Sequence, residues 1–251
     1  MTTESLTYRW NTSAAAEAYD ASAPTIHPYY TVVQDHILSA LPFAADEPFE
    51  AVDLGGGSGR LAERVLEQFS AARVAVVDQS EAFLALAERK LARFGARAAF
   101  VQCTLQDEWQ AKLTSAPNAI LSTSAIHHLE PREKRELYAR CFAALAPGGV
   151  FLNGDEYRPA DDGEFLALIK EWSAHMTGAL TEGRIPESFQ ATLDHWHKRN
   201  IVEFGEPKKS GDDCQETIAV QVGYLREAGF ARVATVWSEK LWGVVVAGKA
   251  T

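Results

Sequence analysis

The hydrophobic pattern of the chain alternates short apolar runs with longer amphipathic stretches. Five short runs have the length and composition of buried strands, at residues 51–54, 74–77, 98–101, 119–124 and 150–152. Three of the stretches between them place apolar residues at helical spacing, at residues 58–69, 80–94 and 131–145. Strands that alternate with helices in this way predict a doubly wound α/β sheet of parallel strands.

The remaining segments predict a cap and an antiparallel end to this sheet. Residues 1–45 form an N-terminal helical segment that covers the sheet, and residues 161–212 supply two helices that we interpret as a substrate cap. The α/β core then comprises residues 46–160 and 213–251. In its last part a helix from about residue 213 precedes two strands at 232–237 and 242–247, which pair as a hairpin.

A glycine-rich turn follows the first strand, in the segment from Asp53 to Gly59. Glycines at 55, 57 and 59 permit positive φ and leave no Cβ between the main chain and a ligand. Asp78 ends the second strand, where a carboxylate accepts hydrogen bonds from ribose hydroxyls of either NAD or S-adenosylmethionine. Asp53 favours S-adenosylmethionine over NAD. A carboxylate at this position repels a pyrophosphate and tolerates a sulfonium ligand that carries an ammonium group.

Four motifs resemble those of class I S-adenosylmethionine-dependent methyltransferases, in that family's order and spacing. They are D-L-G-G-G-S-G at 53–59, V-V-D-Q-S at 76–80, S-A-I-H-H-L at 124–129 and L-A-P-G-G-V-F-L at 145–152. Tyr19-Asp20 and Pro28-Tyr29 also resemble the opening segment of carboxy-S-adenosylmethionine synthase-like enzymes. The resemblance implies a seven-stranded Rossmann-like methyltransferase sheet, with the terminal hairpin and the helical cap, and S-adenosylmethionine as cofactor with S-adenosylhomocysteine as product.

The same resemblance implies a set of cofactor contacts. These are Tyr19, Asp53, Gly55, Gly57, Asp78, Gln79, Thr104, Leu105 and Ser122. For Tyr19, an ordinary structural role as a half-buried aromatic residue of a helix has the same weight as a cofactor contact. The chain departs from the family pattern at Thr104, where an aspartate usually holds the adenine amino group, and at Asn118, where an aspartate usually opens the fourth strand.

Catalytic candidates follow the fourth and fifth strands. His127 is predicted to position or deprotonate the acceptor, because a histidine titrates near neutral pH, and adjacent His128 is expected to point away from it. Glu156 is a candidate to hold a basic acceptor or the sulfonium, with a local structural role as the alternative. Substrate contacts are predicted from His128 and, in the cap, Trp172, His175 and Trp196, although aromatic stripes at helical spacing often belong to a core.

The composition limits the partners. Twenty-four Lys and Arg against 34 Asp and Glu leave a net charge of −10, which argues against nucleic acid or an anionic membrane as a partner. Three cysteines without a C-x-x-C pair and the absence of a membrane-length apolar run predict a cytoplasmic protein. We expect a monomer or homodimer, and the acidic charge favours a small-molecule acceptor. We expect no metal site, because the histidines of His195-x-His197 point about 200° apart on a helix.

The predicted activity is methyl transfer to oxygen, nitrogen or carbon of a small-molecule acceptor. An enzyme that modifies S-adenosylmethionine instead, in the manner of carboxy-S-adenosylmethionine synthase, is the alternative within enzymes. A non-catalytic scaffold that binds the cofactor is the alternative outside enzymes, and the departures at Thr104 and Asn118 favour it. An NAD-dependent oxidoreductase ranks last because of Asp53 and the terminal hairpin.

Overall fold

The computed structural model describes residues 11–251, so the first ten residues of the predicted N-terminal segment lie outside the described part. Seven strands form one sheet in the order β3-β2-β1-β4-β5-β7-β6. They are β1 (Glu50–Leu54), β2 (Arg73–Asp78), β3 (Ala98–Gln102), β4 (Ala119–Thr123), β5 (Val150–Glu156), β6 (Arg232–Glu239) and β7 (Trp242–Gly248). Strands β1 to β5 are parallel, and β7 runs antiparallel to both β5 and β6. The predicted fold class is confirmed.

Helices cover both faces of the sheet. They are α1 (Ser13–Ile26), α2 (Tyr30–Ala40), α3 (Arg60–Gln68), α4 (Glu81–Leu91), α5 (Pro131–Ala144), α6 (Asp162–Thr181), α7 (Gln190–His197) and α8 (Ile218–Glu227). Side chains that alternate along β1 enter two apolar clusters, with Ala51 in one and Val52 and Leu54 in the other. The sheet is therefore buried on both faces, as a parallel sheet requires.

Close packing against α2 sets the position of β5. A Cβ added at Gly154 would lie 2.3 Å from Cγ1 of Val33 and 2.8 Å from Cδ1 of Ile37, so only glycine allows this approach. Strand β5 continues through Asp155 and Glu156, which pair with Gly243 and Trp242 of β7. The two carboxylates therefore belong to the strand, whereas the sequence pattern predicted that the strand ends at residue 152.

A proline lies inside the first helix. Pro24 belongs to α1, and the chain turns only at residues 27–29, before α2 begins. A proline cannot donate to the carbonyl four residues earlier, which here belongs to Asp20. Nη2 of Arg60 donates to that carbonyl at 2.6 Å, so tertiary contact satisfies the group that the proline leaves free.

The terminal hairpin and the helices of residues 161–212 have the predicted secondary structure, but their ends differ from the predicted ones. The hairpin turn contains two residues, Lys240 and Leu241, where four were predicted, and Lys240 adopts φ of 51°. In the cap, α6 packs against α1, and Nε1 of Trp172 donates to the carbonyl of Ile26 at 2.6 Å. A search of the described residues finds no helix long and apolar enough to cross a membrane.

Candidate functional site

A large cavity lies at the carboxyl ends of β1, β2, β4 and β5, below α1 and the cap. Open α/β sheets bind their ligands at this edge. Most residues that the sequence predicted for the site line this cavity. They are Tyr19, Gly55, Gly57, Asp78, Gln79, Leu105, His127, His128, Glu156, Trp172 and Trp196.

Four predicted site residues do not line the cavity. Asp53 is buried behind the glycine turn, since a Cβ added at Gly56 would lie 2.8 Å from its carboxylate carbon. The hydroxyl of Thr104 accepts from the backbone N–H of Asp107 at 3.2 Å, and that of Ser122 donates to the carbonyl of Leu54 at 2.9 Å. Nε2 of His175 lies 2.7 Å from the carbonyl of Thr25, so its ring faces α1.

Asn118, the second departure from the family pattern, lies just before β4 at the opposite edge of the sheet from the cavity. Its Oδ1 accepts from the backbone N–H of Glu50 at 2.9 Å. This bond joins the starts of β4 and β1. The asparagine therefore has a structural partner, and its position gives it no contact with a ligand in the cavity.

The glycine turn has the backbone geometry that the sequence predicted. Gly55, Gly57 and Gly59 adopt φ of 66°, 53° and 75°. A Cβ added at Gly57 would have no neighbour closer than Phe83 at 4.0 Å, so this glycine faces open space in the cavity. A side chain there would fill that space, and its absence leaves main chain for a ligand to rest against.

Asp78 is held rigidly beside this turn. Its Oδ2 accepts from the backbone N–H of Gly57 at 2.9 Å, and its Oδ1 accepts from that of Ser80 at 2.8 Å. Burial raises the pKa of Asp78 to about 6, against the lowering effect of these backbone hydrogen bonds. The group is therefore mostly ionised at pH 7 and retains lone pairs that accept from ligand hydroxyls.

The far end of the cavity is formed by a histidine–carboxylate cluster, which we define as His27, His127, His128, Glu156 and Asp213. Nδ1 of His127 lies 2.6 Å from Oδ1 of Asp155, and the backbone N–H of His127 donates to Oδ2 of Asp155 at 3.0 Å. A carboxylate on Nδ1 fixes the ring orientation and directs Nε2 away from Asp155. Nε2 of His127 lies 3.6 Å from Oε2 of Glu156 and 3.9 Å from Oδ1 of Asp213.

Charges around His127 favour its protonated form. Burial acts to lower its pKa, but the charges of Glu156, Asp155 and Asp213 and the hydrogen bond to Asp155 outweigh burial and raise the pKa to about 9. Burial in turn acts to raise the pKa of Asp155, and the charge and hydrogen bond of His127 hold it below its ordinary value. The two groups form a buried ion pair at neutral pH.

The two adjacent histidines lie closer together than the sequence predicted. Their ring centroids are 4.0 Å apart, because Ile126–His128 is a single 3₁₀ turn that places both rings at the cavity. The prediction that they point apart is therefore wrong. Nδ1 of His128 lies 3.2 Å from the carbonyl of Asp212 and 3.4 Å from Oδ1 of Asp213.

Two members of the histidine–carboxylate cluster were missed by sequence reasoning. His27 lies at the turn between α1 and α2, with Nδ1 3.4 Å from Oε1 of Glu156 and Nε2 3.2 Å from the hydroxyl of Tyr19. Asp213 accepts from Nδ2 of Asn200 at 2.8 Å. The only sequence signal for His27 was its position beside the Pro28-Tyr29 motif, and Asp213 carried none.

The loop that carries Asp213 is attached to the 3₁₀ turn by backbone hydrogen bonds. The N–H of Gly211 donates to the carbonyl of His128 at 2.9 Å, and the N–H of Cys214 donates to that of His127 at 2.8 Å. Buried Lys134 donates to the carbonyl of Cys214 and, at 3.0 Å, to Glu216. These bonds hold residues 211–216 against the cavity.

One set of ligand atoms among the described residues has the spacing of a metal site. Atoms of His127, His128 and Asp213 all lie within 4.8 Å of one another. His197 of the His195-x-His197 pair lies elsewhere, with Nδ1 3.0 Å from the hydroxyl of Ser173. That the protein uses no metal stays a prediction.

The chain was compared with known proteins by sequence. Residues 51–149 match the family model described as a methyltransferase domain. A curated relative, trans-aconitate 2-methyltransferase of Variovorax paradoxus, is 39% identical over 108 residues, which cover 41% of this chain and 37% of the relative. The same enzyme of Paracidovorax citrulli is 34% identical over 114 residues, and the match covers 40% of that relative. The chain thus matches less than half the length of these curated relatives.

Solved structures share the whole fold at low sequence identity. Human N-acetylserotonin methyltransferase in complex with S-adenosylmethionine superposes with a TM-score of 0.65 at 16% identity, over 100% of this chain and 60% of that one. An O-methyltransferase family protein from Burkholderia thailandensis gives 0.64 at 18% identity, over 99% and 67% of the two chains. These likenesses confirm the fold, and the sequence matches agree, over residues 51–149, with the methyltransferase resemblance of the motifs.

Proposed function

We propose that this chain, which carries the domain of class I S-adenosylmethionine-dependent methyltransferases, transfers a methyl group from that cofactor to a small-molecule acceptor. The observation that carries the proposal is one continuous cavity. Its wall joins the glycine turn and Asp78 at one end to the histidine–carboxylate cluster at the other. The proposed sites for the cofactor and the acceptor thus lie in one cavity.

The residues present fit the nucleoside part of the cofactor. The exposed main chain at Gly55 and Gly57 and the ionised Asp78 suit a ribose, while Cys103, Leu105 and Gln106 line the adjoining wall, where an adenine fits. Thr104 lies between these residues and off the wall, so its replacement of the usual aspartate removes one charge-assisted bond and leaves this wall in place. When bound, S-adenosylmethionine supplies an electrophilic methyl group on its sulfonium.

The chain's own contribution is to hold the acceptor in line and to accept its proton. Most of the acceleration of such a displacement comes from holding the reacting groups in near-attack geometry. We assign proton acceptance to Nε2 of His127, because Asp155 holds the ring from its other nitrogen. The raised pKa keeps His127 protonated at neutral pH, and a sulfonium charge in the cavity acts to lower that pKa.

The pH dependence of the reaction tests this assignment. For an acceptor that must lose a proton, kcat/KM should rise with pH up to about 9, where the free protein releases the His127 proton. His127→Gln should lose this rise and reduce kcat by about 10²–10⁴-fold, the range of general-base catalysis. His195→Gln changes a histidine of the cap that does not line the cavity, and it should keep the wild-type profile. An unchanged rate and profile in His127→Gln would refute proton acceptance by this residue.

Ligand-dependent unfolding tests the function itself. S-adenosylmethionine or S-adenosylhomocysteine at 100 times its dissociation constant should stabilise the protein by about 2.7 kcal/mol, and NAD should leave it unchanged. Asp78→Ala should abolish the shift, whereas Asp162→Ala, which changes an exposed aspartate of α6, should retain it. Turnover is then measured with a deuterium-labelled methyl group and an acceptor panel, followed by mass spectrometry.

The outcomes separate the alternatives. A labelled acceptor together with an equal amount of S-adenosylhomocysteine supports methyl transfer. Binding of the cofactor with no labelled product from any acceptor would favour the scaffold, and a chemically altered cofactor would favour the cofactor-modifying enzyme. No shift with either sulfur nucleoside would contradict the proposal.

A further inference from the structure

We infer that the acceptor carries an ammonium group and that Glu156 binds it. This inference rests on the proposed function and names the class of its acceptor. Among residues 11–251, the ionisable side chains of the cavity wall are carboxylates, histidines, two tyrosines and one cysteine, and neither lysine nor arginine lines it. The carboxylates are Asp78 at the cofactor end and Glu156 and Asp213 in the histidine–carboxylate cluster.

Glu156 is a buried carboxylate that lacks a complete set of hydrogen bonds. Its side chain is 2% exposed, and its Oε1 makes no hydrogen bond among the described residues. Two histidine nitrogens lie nearby, that of His27 at 3.4 Å from Oε1 and that of His127 at 3.6 Å from Oε2, and both distances exceed ordinary hydrogen-bond length. A buried charged oxygen without a donor is costly, so a ligand that supplies N–H donors and a positive charge fits this position.

The backbone presents this carboxylate to the cavity. Glu156 ends β5, where its N–H donates to Oδ1 of Asp155 at 2.9 Å and where the strand pairs with Trp242 of β7. The neighbouring Asp155 is already bonded to His127, Asn153 and this N–H. Of the two consecutive carboxylates, Asp155 is therefore engaged within the protein, and Glu156 lines the cavity.

Aromatic rings line the same cavity as the carboxylate and suit a cation. The ring of Trp172 lies 5.6 Å from that of His27 and 4.8 Å from that of Trp196, and all three line the cavity. Nε1 of Trp172 is bonded to the carbonyl of Ile26, which fixes the indole plane. Indole faces attract ammonium groups, so a carboxylate with indole walls recognises an organic amine.

The same wall disfavours an acceptor with several carboxylates. Proteins recognise carboxylate ligands through the paired N–H donors of arginine or the charge of lysine. Here the cationic group of the cluster is His127, which is already paired with Asp155, so a ligand carboxylate would meet the like charge of Glu156. The relatives named trans-aconitate 2-methyltransferases match only about two fifths of this chain, so their acceptor does not transfer to it by similarity.

Binding with matched ligands tests the inference without turnover. Isothermal titration is run with the protein saturated by S-adenosylhomocysteine and with EDTA present, on two pairs that differ in one charged group. Tryptamine is compared with indole-3-acetate, tyramine with 4-hydroxyphenylacetate, and trans-aconitate is added as a polycarboxylate. The inference expects each amine to bind at least tenfold more tightly than its carboxylate partner.

Glu156→Gln is the diagnostic variant, and Glu171→Gln, which neutralises an exposed carboxylate of α6, is its control. Glu156→Gln should reduce the preference for amines by about 10–100-fold, the range of a hydrogen bond to a charged group, with an unchanged affinity for S-adenosylmethionine. Glu171→Gln should keep the wild-type preference. Retention of S-adenosylmethionine binding also shows that the variant is folded.

Several results would overturn the inference. These are tighter binding of the carboxylates, no binding of either amine at millimolar concentration, or a Glu156→Gln variant that loses affinity for S-adenosylmethionine alone. The last result would place Glu156 at the sulfonium. Amine binding that requires a divalent cation in place of EDTA would assign the histidine–carboxylate cluster to a metal. Failure of methyl transfer with amine binding intact would instead contradict the proposed function.

Discussion

Replacing Asp155 with asparagine tests the electrostatic arrangement around His127. In the wild-type protein the two side chains form a buried pair with Nδ1 and Oδ1 2.6 Å apart. Asp155→Asn keeps the size of the side chain and removes its charge. The charges of Glu156 and Asp213 remain near the ring, so the variant isolates the contribution of one partner.

The burial of Asp155 and His127 sets the size of the expected loss of stability. Removal of one partner of a buried ion pair costs about 3–5 kcal/mol, because the remaining charge is left without its partner. The pKa of His127 should fall from about 9 toward its ordinary value of 6.5. Asp162→Asn, in an exposed pair with Arg158, serves as the control and should change stability by about 0–1 kcal/mol.

The dependence on pH has a definite sign. The pKa of His127 is higher in the folded than in the unfolded protein, so its contribution to stability is complete below pH 6.5 and is lost as pH rises through about 9. The free energy of unfolding of the wild-type protein should therefore decrease as the pH rises from 6.5 to about 9. The decrease should be smaller in Asp155→Asn.

Two measurements check these expectations. Urea unfolding at pH values between 6 and 10 gives the free energies, and NMR titration of the histidine ring protons gives the pKa of His127. A variant that keeps the wild-type pKa of His127 and folds normally would refute the assignment of Asp155 as the partner that holds this ring.

Two further predictions concern positions that shape the cavity. Gly55→Ala should lower stability by about 1–3 kcal/mol and weaken binding of S-adenosylmethionine, because its φ is 66° and the new Cβ would lie 2.5 Å from that of Ala125. Calorimetric binding and urea unfolding measure both effects, and unchanged values would contradict the close approach at this turn. Lys134→Met should cost about 3–5 kcal/mol, because Glu216 and the carbonyl of Cys214 lose a buried cationic donor. Urea unfolding checks this prediction, and a neutral result would mean that solvent replaces the ammonium group.

The succession of strands and helices along the chain and the position of the glycine turn were predictable from local pattern. Apolar runs of strand length, helical periodicity and the turn residues all depend on neighbours within a few positions, which the sequence displays directly. Element ends were less predictable. Pro24 stays inside α1 because Arg60, 36 positions further along the chain, supplies a donor to the carbonyl of Asp20.

Site residues that follow a strand were predictable, and the direction of the side chains within the strands was not. His127, Glu156 and Asp78 follow strands of a parallel sheet, so their meeting at one edge follows from the fold class. Asp53 and Ser122 also belong to strands, but Ser122 bonds to Leu54 and Asp53 lies behind the glycine turn. Side-chain alternation along a strand decides which residues face the cavity, and the pattern does not show where each strand ends.

The sequence by itself determined the fold class, the resemblance to methyltransferases and the identity of the strand-end residues, because each of these depends on local composition and spacing. Only the tertiary structure decided that Asp155 partners His127, that both adjacent histidines line the cavity, and that His27 and Asp213 join Glu156 there. These contacts join segments that are far apart in the chain, and their charges act through space. The electrostatic character of the cavity is consequently a property of the packed molecule.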